Sequence, residues 1–207
     1  MRSLRIWLIA LACLTAVFGC ATAGKEFSSE GFKQLNIGRT TEKEVLEIFG
    51  EPFKRQTRAE NNIEYHFLTY SYARATVDAA KGRYLDMEFT NGVLNGYLFA
   101  SDLEGDSTDF DVDAVQKLKE KPAQVNDYVK LLGRPNGELL MPTIMLKKNF
   151  GTMPEAVPPA NASKATIYLF STLKRESRVL NSHVKLLIVY SSSDGAVIET
   201  RYFKGTL

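Results

Sequence analysis

Few residues in this chain are of the kinds that carry out chemistry, and their spacing limits what they could do. There are two histidines, His66 and His183, far apart in the chain, and no carboxylate spacing links them. Serine hydrolysis needs a serine, a histidine and an acid brought together. No nucleophile-elbow sequence is present, each histidine reads as a strand-surface residue, and no enzymatic activity is expected. The acidic run Asp109-x-Asp111-x-Asp113, with Glu120 in twelfth place, has the ligand spacing of a calcium loop. Ala114 stands where glycine would make the sharp turn and Lys117 occupies the ninth place. The run reads instead as an acidic linker ending at a helix start, where carboxylates favour the helix dipole. No metal site, cofactor fingerprint or phosphate loop is expected. The remaining concentration of distinctive side chains is aromatic: Tyr65, Phe67, Tyr70 and Tyr72 crowd one long strand and fall on both of its faces. Such residues are common at interfaces and in sheet cores, so the four are candidate partner-binding residues.

The N-terminus has a chemistry of its own. Arg2 and Arg5 precede Ile6 to Phe18, an apolar run of 13 residues. A membrane span needs about 20, so the run fits the hydrophobic part of a signal peptide. It ends in Val17-Phe18-Gly19-Cys20, an aliphatic-x-small-Cys order that resembles the lipobox of bacterial lipoproteins. The resemblance implies diacylglycerol on the Cys20 thiol, cleavage between Gly19 and Cys20, and acylation of the new amine. Residues 1–19 are then a signal peptide and 20–29 a tether. With Cys13 removed, Cys20 is the one cysteine left, so neither an intramolecular disulfide nor a cysteine metal site can form. One acyl chain binds a membrane marginally, whereas two or more hold firmly. The nine residues Ala21 to Ser29 reach at most about 30 Å, which places the folded part close to the membrane. Ala21, rather than Asp, follows the cysteine. By analogy with enteric lipoproteins this directs the protein to the periplasmic face of the outer membrane, the inner membrane being the other destination. The chain has 26 Lys+Arg against 24 Asp+Glu, and the two arginines that leave with the signal account for the difference. No basic stripe of the kind that meets nucleic acid is present.

The elements that must position these residues show an internal repetition. Leu35 to Pro52 superposes on Leu118 to Pro135 with a shift of 83, pairing Gly50 with Gly133. Each stretch predicts a short amphipathic helix. Val45, Ile48 and Phe49 share one face of the first; Tyr128, Leu131 and Leu132 share that of the second. Thr41 and Glu44 form a capping box, and each glycine followed by proline ends its helix. Strands are expected near 53–58, 63–75, 83–90 and 93–100, then near 139–147, 165–174, 179–190 and 196–204. A helix near 113–120 opens the second half. Leu85, Met87 and Phe89 alternate with Asp86, Glu88 and Thr90, as in a sheet with one wet face. Asn91-Gly92 and Asp194-Gly195 supply hairpin turns. The proline-rich segment 141–163 reads as a loop inserted in the second copy.

The phrase Leu35-x-Ile-Gly38-x-Thr-Thr-x-x-x-Val45-x-x-Ile-Phe-Gly50-x-Pro52, then Leu85-x-Met-x-Phe89-x-x-Gly92, resembles the BamE (SmpA/OmlA) lipoproteins. The tandem arrangement resembles the β-lactamase inhibitor protein. The resemblance implies an α+β fold of two helix–helix–antiparallel-sheet repeats, 30–105 and 106–207, with helices packed on one sheet face. It also implies a protein-binding or assembly role in the cell envelope. The alternatives are an inhibitor or regulator of a periplasmic enzyme acting through the sheet face, and a lipid or small-ligand sensor with an apolar pocket between the repeats.

Overall fold

The computed structural model describes residues 22–75, 79–116, 124–176 and 179–206. The signal segment, Gly19 and Cys20 lie outside the described residues. The chain runs β1 (Thr22–Gly24), a 3-10 turn (Ser29–Gln34), α1 (Glu42–Phe49), β2 (Lys54–Glu60), β3 (Ile63–Ala75), β4 (Ala79–Thr90) and β5 (Val93–Ser101). There follow α2 (Val112–Gln116), α3 (Val125–Leu132), β6 (Gly137–Leu140), α4 (Met145–Phe150), a 3-10 turn (Pro154–Ala156), β7 (Lys164–Glu176), β8 (Val179–Ser191) and β9 (Val197–Thr206).

The architecture corrects the expected fold class. Strand accounts for 49% of the described residues and helix for 21%, so the fold is mostly antiparallel β and not a pair of α+β repeats. The strands of both halves join in a nine-stranded sheet of order β1-β3-β4-β5-β6-β7-β8-β9, with β2 beside β1 on the outer edge of β3. The helices are short and do not share one face. Strand alternation sorts the core. On β4, Leu85, Met87 and Phe89 face α1 and Phe27; on β7 and β8, Tyr168, Leu187 and Val189 face α2 and α3. On the opposite face Leu98, Ile167, Leu169, Leu186, Ile188 and Tyr190 pack with Met145 and Leu146 of α4.

Local signals did form as read. Thr41 accepts from the Glu44 amide while the Glu44 carboxylate accepts from that of Thr41. One cap was not read from the sequence: the Asp127 carboxylate accepts from the Gln124 amide at the start of α3. Gly50 (φ +73°) and Gly133 (φ +81°) end the two helices in left-handed backbone. Each glycine carbonyl accepts a tyrosine hydroxyl from the sheet, Tyr70 at 2.8 Å and Tyr168 at 3.1 Å. Asn91 and Gly92 both have positive φ, the signature of the tight hairpin turn.

Two boundaries differ. The strand expected over 139–147 stops at Leu140 and becomes α4. Pro142 has no amide to donate to a ladder, and the Thr143 hydroxyl accepts from the Met145 amide near the helix start. The expected tether is folded from Thr22 onward: β1 pairs with β3, Thr22 opposite Arg74 and Gly24 opposite Tyr72. Phe27 is buried against Phe49 and Tyr70.

The halves meet where β5 and β7 diverge beyond the short β6. Asn136 bridges the gap. Its amide group donates to the carbonyls of Phe99 and Leu169, and its carbonyl accepts from the Leu169 amide at 2.8 Å. Further along, Asp102 accepts from the Gly82 amide and the Thr172 hydroxyl, both at 2.7 Å. Beyond it β4 and β7 pair directly through Ala79–Ala80 and Leu173–Lys174. Replacing Asn136 by leucine leaves backbone groups of both strands unpaired, each costing roughly 1–3 kcal/mol. Urea unfolding of Asn136→Leu is expected to show a loss of roughly 2–4 kcal/mol.

Candidate functional site

The region with most polar structure is the sheet face beneath the insertion 141–163. Asp86 and Glu88 of β4 were expected on a wet face, yet both are fully buried. The insertion covers them, and its own groups occupy their oxygens. Asp86 accepts from Lys148 and Asn149 of α4 and, at 2.7 Å, from the Thr69 hydroxyl of β3. Lys148 is itself nine-tenths buried and lies over the Phe67 ring. Glu88 accepts from the Thr143 hydroxyl and the Ile144 amide, both at 3.0 Å, and from Asn95 at 2.7 Å.

Asn95 reaches this place through a β-bulge. Glu88 pairs with Gly96 and Phe89 with Leu94, so Asn95 is the extra residue. A bulge re-aims a side chain, and Asn95 also donates to the carbonyls of Leu140 and Pro142. Across the sheet, Tyr190 donates to the Glu155 carbonyl and Arg201 of β9 to those of Pro154 and Val157. At the other side Lys147 pairs with Glu60 of β2. The insertion is therefore fastened from one edge strand to the other. Burial raises the Glu88 carboxyl above its ordinary value, an effect the hydrogen bonds from Asn95, Thr143 and Ile144 partly oppose.

The four aromatic candidates are all core residues. Tyr65 and Phe67 pack on the insertion face, Tyr70 and Tyr72 on the helix face, and none is more than 9% exposed. Two-sided aromatic patterning here marks a strand covered on both faces, so these four have no surface from which to meet a partner. His66 is half-exposed; its Nε2 lies 2.7 Å from Glu64, and that bond raises its pKa. His183 sits on β8 opposite Thr172 and Thr206, on the far half of the sheet. Asp109 pairs with Lys185 at 2.7 Å, and Asp111 accepts from the Asp113 amide; Glu120 lies outside the described residues. Among the described residues no group of three or more His, Cys, Asp or Glu side chains is placed to hold a metal. The lipidation residue Cys20 and the cleavage pair Gly19–Cys20 also fall outside the described residues. On the insertion face one continuous core joins Tyr65 and Phe67 of the first half to Ile188 and Tyr190 of the second, while on the other face a cleft of about 330 Å³ between the halves is lined by Phe32, Phe99, Phe110 and Tyr168.

No family model matches the chain, and no curated protein matches it. Among solved structures, a candidate β-lactamase inhibitor protein from Streptococcus mutans is similar over 86% of this chain and 98% of its own, at 12% identity and a TM-score of 0.47. Likeness at that level carries no inference about activity. The expected BamE resemblance has no counterpart among these matches.

Removing one member of a buried ion pair strands the other and costs roughly 3–5 kcal/mol. Asp86→Ala is expected to lose that much in urea unfolding and to speed amide exchange across 141–163. The double variant Asp86→Leu/Lys148→Met is expected to recover most of the loss. Glu88 gives a pH signature. Its folded pKa lies above the ordinary 4.5, so its contribution to stability is full below that pH and declines as pH rises through the folded value. The stability of Glu88→Gln relative to wild type is therefore expected to increase from pH 4.5 toward neutrality. A pH-independent difference in urea unfolding would contradict this.

Proposed function

We propose that this chain is a non-enzymatic envelope lipoprotein, anchored through lipid on Cys20, that binds a protein partner through the outer surface of the 141–163 insertion. The observation that supports the reading is how the insertion is held. Its inward polar groups are satisfied by Asp86, Glu88, Tyr190 and Arg201, so its outward surface is fixed before any partner arrives. That surface presents Val157, 58% exposed, with Pro158 exposed beside it. A rigid apolar anchor avoids much of the ordering cost of association and is the kind of residue around which binding energy concentrates. Over Asp86 and Glu88 the sheet face is covered, so there the insertion is what that side offers to a partner. The periplasmic face of the outer membrane is the proposed location.

Two measurements test the proposal. Cys20→Ala is expected to leave the membrane fraction for the soluble one, and membrane retention equal to wild type would remove the lipid claim. Affinity recovery from detergent-solubilised envelope is expected to bring down a stoichiometric partner that Val157→Asp loses by tenfold or more. Val157→Asp should unfold within about 0.5 kcal/mol of wild type, as exposed substitutions usually do. Recovery of the protein alone, or of the same partner undiminished by the variant, would refute the binding surface.

A further inference from the structure

Beyond the insertion, toward the β3–β4 and β7–β8 hairpins, the same sheet face is bare. It forms an apolar furrow of about 350 Å³. The floor is made of small residues, among them Ala73, Gly82 and Ala100, and the walls are Phe53, Tyr84 and Leu173. Phe53 is 64% and Leu173 39% exposed, two of the four large apolar side chains that the described residues leave in solvent. The furrow crosses from β1 over β3 and β4 to β7, three strand steps or about 14 Å.

One end of it is formed by Ala23 and Gly24 of β1. That strand starts at Thr22, two residues after Cys20. Two residues span at most about 7 Å, so any group on the Cys20 sulfur begins beside the mouth of the furrow. We propose that the furrow is the docking site for an acyl chain carried on Cys20, sheltering it from water whenever the protein is out of a bilayer. The proposal rests on the lipoprotein reading, because it needs an acyl group on that thiol. Three features point to that occupant: the surface of the furrow is mostly apolar, the furrow crosses from β1 to β7, and the chain preceding Thr22 joins the fold at its edge.

The test supplies the alkyl group chemically, so it does not depend on processing in the cell. The chain from Cys20 to Leu207 contains the entire described fold and one cysteine. It is alkylated with N-dodecylmaleimide or, as control, N-ethylmaleimide, and titrated with a fluorescent fatty acid, dansyl-undecanoic acid. The ethyl-capped protein is expected to bind one equivalent. The dodecyl chain, tethered beside the furrow at an effective concentration in the millimolar range, is expected to weaken that binding at least tenfold while the protein stays monomeric. Ala73→Trp and, separately, Ala80→Trp are expected to abolish probe binding in folded protein, judged by circular dichroism. Equal probe binding by both capped forms, no binding by the ethyl-capped form, association of the dodecyl form into micelles, or full binding by both folded tryptophan variants would overturn the proposal. Loss of membrane retention in cells is read separately, from Cys20→Ala, so the two ideas fail independently.

Discussion

Two carboxylates two residues apart on one strand govern this structure. Asp86 and Glu88 point into the middle of a sheet face with no exposed surface, where an unpaired charge would cost several kcal/mol. They are tolerated because one segment brings a lysine, an asparagine, a threonine and a backbone amide to them. That segment must then lie flat across the sheet. Lying there, it buries Met145, Leu146 and Ala156 over strands from both halves. The polar pins set where the insertion sits, and the apolar residues supply most of the stabilisation once it is there, at about 25 cal/mol for each Å² covered.

The junction between the halves follows the same logic on a smaller scale. A sheet whose strands diverge would expose unpaired amides, and buried backbone groups seldom stay unpaired. Asn136 and Asp102 each stand in for a missing strand partner and hydrogen-bond to the backbones on either side. The result is one nine-stranded sheet whose two halves share a core on the insertion face and keep separate cores under the helices.

Much of the local structure was legible. The capping box at Thr41, the glycines that end α1 and α3, and the Asn91–Gly92 turn are rules acting within a few residues, and the chain obeys them. What could not be read was whatever depended on a partner distant in sequence. The alternation at Leu85–Thr90 shows which residues share a face, but only a segment 55 or more positions away decides whether the polar face is wet. The same holds for the aromatic strand: Tyr65 to Tyr72 carry rings on both sides because both sides are covered. Pairing between halves was invisible because it passes through β6, four residues long, and through side chains filling in for strands. Asn95 had no signal at all, since a bulge cannot be seen before the register is known.

The early start of β1 has a mechanical consequence. A free leash of nine residues would let a domain swing and present any side to its surroundings. Here the chain is paired with β3 from Thr22, so a single residue, Ala21, separates position 20 from the nine-stranded sheet. An attachment made there would work less like a leash than like a bracket, fixing the tilt of the plate and the direction in which the insertion looks.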